Sequence, residues 1–315
     1  MLNKKLLITS FDNRHNYITD EGTNCCRLFN GDGDGFDGLT IDKYNEFVLF
    51  QFFRRELYQD RERIFSLVIE SICQRYGTVK GILFKDRTQN AGKNPQDARD
   101  SVLVWGQRPP AEYTIRQNNM VLAVDLEHGQ STGVFLDMKE IRDMLVPFYG
   151  GCRSMLNLFS YTGAFSVHGL LHGVSRAVNV DLSKSVLKRA RKNYVLNGIA
   201  CDERDFVAED AGDWMKVLRK KEQHYDMVIY DPPTFSRNGK KTFNIRRDYR
   251  KHLTAICEIA KGGYVLSSVN AASVSKREYF SYHPEDWTLV FSGNESGDFP
   301  YIHEPYLKAG LWKLP

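Results

Sequence analysis

Two rhythms of apolar and polar positions divide the chain. In the first stretch the runs are short and β-rich. Leu39–Tyr44 alternates apolar with polar residues and Phe47–Phe53 continues in kind, so two strands are expected around a turn at Asn45-Glu46. Ile64, Leu67, Val68, Ser71 and Ile72 share one face of a predicted helix over about residues 57–76. Gly81–Lys85 reads as a further strand, followed by a polar, basic loop over Asp86–Asn94. Tyr113–Arg116 and Met120–Val124 read as a hairpin turning at Asn118-Asn119. From Ser154 onward, apolar runs of strand length alternate with helical stretches. Strands are expected at Met155–Phe159, Ala177–Val180, Asp205–Ala208, Asp226–Tyr230 and Gly263–Ser267. Helices are expected to about 172, over 183–197, around Trp214–Leu218 and over 248–260. Trp287–Phe291 and Tyr306–Lys313 add two strands with no clear crossover helix between them. Repeated βα units imply an α/β fold: a doubly wound, mostly parallel, Rossmann-like sheet of seven strands with an antiparallel pair at one edge. A small α+β domain precedes it, so the expected domains are 1–125 and 126–315.

Composition narrows the class without naming an activity. With 42% hydrophobic and 26% charged residues over 315 positions, the chain is an ordinary globular protein. The 43 Lys and Arg against 39 Asp and Glu permit a nucleic-acid partner without requiring one. No apolar run approaches the roughly 20 residues of a membrane span. Met1–Ile8 holds too short an apolar run for a secretory signal, so a cytoplasmic location is expected. Six cysteines, at 25, 26, 73, 152, 201 and 257, form no CxxC pair and read as reduced, structural thiols. The run Gly31–Gly38 fails as a calcium loop, because its third ligand position is Phe36 and its twelfth residue is Lys43. His168 and His172 stand four apart, but Gly169 occupies the place of a zincin glutamate and no third ligand is evident. They read as structural, and no metal is expected.

The chemistry gathers at consecutive strand ends, where open α/β sheets bind ligands. The first strand of the sheet turns through Phe159-Ser160-Tyr161-Thr162-Gly163, where a single glycine admits a ligand to the backbone and a helix amino terminus. Asp181 ends the second strand about 20 residues on, the place of an acid that takes a ribose diol. Glu209-Asp210-Ala211 follows the third strand, within reach of an adenine edge. The turn lacks the GxGxxG that brings a pyrophosphate close, which argues against a nicotinamide oxidoreductase and for S-adenosylmethionine. The fourth strand ends in Asp231-Pro232-Pro233-Thr234-Phe235: a carboxylate, a stiff backbone and a ring, suited to a planar group with hydrogen-bonding edges.

Asn157–Gly163, Asp181-Leu182-Ser183 and Asp231–Ser236 together resemble the class I methyltransferases of the bacterial large-subunit rRNA family. Thr132–Asp137 with Arg142, and Asn30-Gly31 through Asp42-Lys43-Tyr44, are similar to other segments of the same family, so the resemblance runs over nearly the whole chain. It implies S-adenosylmethionine as cofactor and 23S rRNA or a large ribosomal subunit precursor as partner. It implies that Phe135 and Asp137 help close the cofactor pocket, that Asp181 holds the ribose and that Asp210 holds the adenine. Asn157, Phe159, Tyr161, Thr162, Gly163, Leu182, Ala211 and Asp231 complete the expected cofactor contacts. Some relatives carry an additional amino-terminal RNA-binding domain that this chain is expected to lack, which leaves RNA capture to the smaller domain and local basic patches.

Family members that make 5-methylcytosine need a cysteine nucleophile near the fifth strand, where this chain has Ser267 and Ser268. The Asp-Pro-Pro-Thr-Phe-Ser form looks closest to the half of a bifunctional large-subunit enzyme that makes 7-methylguanine. Asp231, the Pro232 carbonyl and Phe235 are therefore expected to hold and stack an extruded guanine. Arg237, Lys240, Lys241, Arg246, Arg247 and Arg250 follow, interleaved with Phe243 and Tyr249, and are expected to meet RNA phosphates. The alternatives are methylation of carbon 5 of cytosine, of another nucleophile such as an exocyclic base nitrogen or a protein side chain, or an inactive cofactor-binding assembly factor.

Overall fold

The structure, a computed structural model, describes residues 1–18, 21–88, 100–238, 241–260 and 262–315. The chain divides into two compact units, Met1–Lys139 with Ser296–His303, and Glu140–Glu295 with Glu304–Pro315. The expected division at 125/126 falls earlier than this one, for a local reason. The segment after the hairpin stays bonded to the first unit: the Tyr44 and Thr132 hydroxyls lie 3.1 Å apart, and Asn118 donates to the carbonyl of Lys139.

In the first unit β1 (Cys25–Asn30), β2 (Leu39–Tyr44), β3 (Phe47–Phe52), β4 (Gly81–Asp86) and β5 (Val102–Gly106) form one sheet in that order. The β2–β3 turn puts Asn45 at φ 53°, a left-handed position that asparagine tolerates. The β3–β4 pair is parallel, and helix α2 (Arg61–Arg75) makes the crossover between them. Ile64, Val68 and Ile72 of α2 and Leu7 and Phe11 of helix α1 (Lys4–Asn13) bury one apolar core with Leu28, Ile41, Phe50 and Phe52. The hairpin β6 (Thr114–Gln117) and β7 (Met120–Ala123) turns through Asn118 and Asn119, both at positive φ. Helix α1 and strands β1 and β5 have too little periodicity to stand out in the sequence. Asp34 of the glycine-aspartate run makes a bidentate, buried pair with Arg14 at 2.8 and 2.6 Å, a structural use of that carboxylate.

The second unit is the doubly wound α/β sheet. Its strands are β8 (Ser154–Leu158), β9 (Arg176–Asp181), β10 (Phe206–Ala208), β11 (Met227–Tyr230), β14 (Tyr264–Asn270), β15 (Thr288–Gly293) and β16 (Leu307–Lys313). They run in the order β10-β9-β8-β11-β14-β16-β15. The pairs from β10 to β14 are parallel, and β16 is antiparallel to both β14 and β15. Helices α3 (Ala164–Leu171), α4 (Lys184–Leu196), α5 (Ala211–Lys220) and α6 (Ile245–Ile259) make the crossovers, and a short helix α7 (Lys276–Phe280) follows β14. The sequence pattern leaves one insertion unread: β12 (Phe235–Asn238) and β13 (Lys241–Asn244) form a separate hairpin between β11 and α6. The core joins Leu156, Leu158, Val178 and Val180 to Val228, Tyr230, Tyr249, Leu253, Ile256 and Val265. His168 is fully buried, with Nδ1 3.3 Å from the Tyr149 hydroxyl and Nε2 3.6 Å from Asp143. Among the described residues no helix is long and apolar enough to cross a membrane.

Candidate active site

The sheet register fixes which side chains become neighbours. Ala208 pairs with Asp181, Val180 with Leu158, Leu158 with Tyr230, and Tyr230 with Ser267. The residues just beyond these pairs, Phe159, Asp181, Asp231 and Ser268, therefore emerge along one edge of the sheet, each strand about 4.8 Å from the next.

The turn after β8 is strained. Phe159 holds φ 58° and Tyr161 φ 48°, left-handed conformations that cost a non-glycine residue about 1–2 kcal/mol. Gly163, at φ 76°, caps α3 without a side-chain bond, so the first-turn amides of that helix are not closed off by a cap. Three hydrogen bonds, from β9 and α4, hold the turn. Ser160 N–H donates to Val180 O at 3.0 Å, Tyr161 N–H to Asp181 Oδ2 at 3.0 Å, and Asn193 Nδ2 to Thr162 O at 2.9 Å. Asn157, itself buried, donates to Ser166 at 2.9 Å and so fastens the strand to the helix that follows.

Asp181 also accepts from Ser183 N–H at 2.9 Å through Oδ1, so one carboxylate ties two strand ends together. Burial pushes its pKa above the ordinary carboxylate value, while the bonds from Ser183 and Tyr161 act against that rise. Asp210 caps α5, accepting from Asp213 N–H at 3.1 Å, with Ala211 buried behind it. Leu182 is exposed beside Asp181.

On the other side of β8, Pro232 is buried after Asp231, and the Ser268 hydroxyl donates to Asp231 Oδ1. Tyr249, fully buried, donates to Ser268 O at 2.9 Å, and Thr234 Oγ1 donates to Asn270 O at 2.7 Å. By their types alone, Ser267 and Ser268 are only places without a thiol. In the structure Ser268 orients the acid, and Ser267 sits in a buried network with Tyr279, His283 and Trp312 at 2.7–3.2 Å. Ser268 and the Asn193 anchor carry no sequence signal beyond their place within a strand and within a helix.

Three of the expected RNA-contacting arginines lie on α6, and each has a partner within the protein. Arg246 pairs with Glu278 at 3.0 Å, Arg247 with its neighbour Asp248 at 2.7 Å, and Arg250 donates to Ser281 O. Phe235 and Arg237 lie on β12 and Lys241 on β13, whereas Lys240 lies outside the described residues. Phe135, exposed, and Asp137, buried with its carbonyl accepting from Ser296 N–H at 2.9 Å, belong to the first unit.

These features fit a nucleoside better than a dinucleotide. Only Gly163 opens the turn, and a Cβ there would stand 3.1 Å from Asn179 Oδ1 and 3.2 Å from Ala190 Cβ. Bulky Phe159 and Tyr161 fill the places where a pyrophosphate needs glycine.

The comparisons agree. The profile of the S-adenosylmethionine-dependent methyltransferase family matches residues 90–283. YwbD of Bacillus subtilis (strain 168), provisionally named as a ribosomal RNA large subunit methyltransferase, is 32% identical over 290 residues, 90% of this chain and 72% of that protein. Ribosomal RNA large subunit methyltransferase I of Yersinia pseudotuberculosis serotype O:1b (strain IP 31758) is 32% identical over 251 residues, 78% of this chain and 61% of that protein. The crystal structure of SMU.776, described provisionally as a methyltransferase and complexed with SAH, superposes with a TM-score of 0.87 at 31% identity. That superposition covers 100% of this chain and 82% of SMU.776.

Substituting Gly163→Ala forces a Cβ into the left-handed region and against Asn179 and Ala190. Urea unfolding is expected to show a stability loss of about 1–3 kcal/mol.

Proposed function

The chain belongs to the S-adenosylmethionine-dependent methyltransferase family, and from that premise we propose that it methylates a base nitrogen of large-subunit ribosomal RNA, in the manner that yields 7-methylguanine. The RNA substrate is taken from the names of the relatives, of which this chain spans 72% and 61% of the length in the two cases given.

The observation that carries the choice of atom is where the thiols lie. Among the described residues of the second unit, Cys152 precedes β8, Cys201 precedes β10, and Cys257 lies near the end of α6, which leads into β14. All three therefore sit toward the edge of the parallel sheet opposite to Asp181 and Asp231. Burial pushes Cys152 up to about 11 and raises Cys257, whose sulfur accepts from the Trp287 indole at 3.3 Å. A covalent route through pyrimidine carbon needs a thiolate beside the base, and none of these three stands there. Guanine N7 has its own lone pair and asks for neither a covalent catalyst nor proton removal.

When bound, S-adenosylmethionine supplies an electrophilic methyl group. Asp181 would hold its ribose diol, with Asp210 at the adenine and the turn Phe159–Gly163 beneath it. Asp231, oriented by Ser268, and the Pro232 carbonyl would hold the amino edge of the guanine, and Phe235 would stack on it. The contribution of these groups is position and electrostatics, since a near-attack geometry removes much of the barrier to methyl transfer. Phosphate contact by Arg246 and Arg247 would exchange their present carboxylate partners, Glu278 and Asp248, for RNA phosphates.

Two measurements test this reading. Tritiated S-adenosylmethionine offered to naked rRNA, ribosomal subunits and total protein is expected to label the rRNA, and mass spectrometry of rRNA nucleosides from a deletion strain is expected to show loss of 7-methylguanine. An unchanged 7-methylguanine level would contradict the proposed atom. Replacing Arg246 and Arg247 together by alanine is expected to weaken RNA binding and to reduce the slope of log affinity against log salt by about one to two units. Cofactor affinity should be unaltered, and an equal loss of it would point to misfolding.

A further inference from the structure

Hydrogen bonds account for the left-handed backbone at Tyr161, but Phe159 is held chiefly through its ring. That ring meets Tyr230 at a centroid distance of 6.0 Å, Phe243 at 5.6 Å and His252 of α6 at 6.4 Å, the last with planes only 22° apart. His252 also reaches Tyr230 at 5.8 Å and Phe243 at 5.3 Å, so the imidazole touches every ring around Phe159.

The same imidazole faces the start of α5. A Cβ placed on Gly212 would stand 3.1 Å from His252 Nε2 and 3.2 Å from Asp210 Oδ1, so glycine lets the cap of α5 close on the histidine. His252 thereby bridges the strained turn after β8 and the acid after β10. Its Nδ1 is buried and has no hydrogen-bond partner among the described residues. Two features of this kind are destabilising: an unsatisfied buried polar atom gives up its hydration for no bond in return, and an aromatic residue in the left-handed region strains the backbone. They occur in contact with each other at the strand ends that flank Asp181.

We propose that His252 is a positioning residue for the cofactor, holding Phe159 from below so that the Phe159–Gly163 turn keeps the shape that receives the nucleoside. The proposal rests on the reading of that turn as the nucleoside site. Protonation acts on the same contact. Asp210 and Lys216 of α5 and Asp248 of α6 are the charged groups facing the ring, with the Tyr230 phenol packed against it from β11. Burial lowers the imidazole's pKa from its ordinary value, Asp210 and Asp248 oppose that, and Lys216 adds to it. His252 is therefore neutral at pH 7, and it charges only below the ordinary histidine range of about 6.5. A charged ring among Phe159, Tyr230 and Phe243 would seek water and loosen the packing.

The test is calorimetric titration of the full chain with SAH, comparing wild type, His252→Ala, His252→Phe and Asp181→Ala from about pH 7.5 to about pH 5. At pH 7.5 His252→Ala is expected to bind about tenfold more weakly, the factor equivalent to about 1.4 kcal/mol. His252→Phe, which keeps a flat ring against Phe159, should recover affinity to within about twofold of wild type, and it should lose the part of the acid-side weakening that His252 causes. Wild-type affinity in His252→Ala, or binding by His252→Phe as weak as by His252→Ala, would overturn the proposal. Asp181→Ala separates the two levels: if it binds SAH as wild type does, the reading of the turn fails and the proposal with it. If Asp181→Ala loses binding while His252→Ala keeps it, only the role of His252 fails.

Discussion

The carboxylate of Asp181 accepts the N–H of Tyr161 through one oxygen and the N–H of Ser183 through the other. This places a charged, partly buried group between the end of β8 and the start of α4, where burial works against its ionised form. The arrangement persists because those two amides would otherwise lose their partner, and because the turn they belong to is unfavourable by itself. Phe159 and Tyr161 each occupy backbone space that side chains avoid. Strain of this size survives only where the surroundings over-determine it, and here they do: Asp181 and Val180 from β9, Asn193 from α4, and the rings of Tyr230, Phe243 and His252 all bear on five residues.

The parallel register then gives the site its layout. With β8 central between β9 and β11, the strained turn lies between Asp181 on one side and Asp231 on the other. Each acid is oriented by its own neighbour, Asp181 by backbone amides and Asp231 by the hydroxyl of Ser268 on the next strand. In the proposed function the first acid meets the cofactor and the second meets the base, so a methyl group passes across the end of one strand. Rigid placement of both partners is the main means by which such a site lowers a barrier, because the transferred group needs alignment more than it needs acid or base chemistry.

Much of this was legible from residue order. The alternation of apolar runs with helical stretches after Ser154 corresponds to five parallel strands and their crossovers, and the absence of a clear helix after Phe291 corresponds to the antiparallel edge formed by β15 and β16. Asp181 and Asp231 stand out because each ends an apolar run, and Gly163 because a lone glycine among bulky residues marks a backbone need. What escaped reading depends on contacts distant in sequence. Ser268 matters through a carboxylate 37 residues earlier, and His252 through a ring from β8. The strands of the β12–β13 hairpin are short and polar and carry no periodic signal. The basic run beyond Asp231 reads as one patch in sequence, yet Arg246 meets an acid 32 residues away, Glu278.

The turn Phe159–Gly163 is built into its receiving shape by the protein and not by the ligand. Amide hydrogen exchange at Tyr161 and Gly163, measured without ligand and again with saturating SAH, tests it most directly. A pre-shaped turn predicts strong protection of both amides in the free protein, with little change on adding SAH. Exchange near the unstructured rate in the free protein, with protection appearing only when SAH binds, would mean that the ligand shapes the turn.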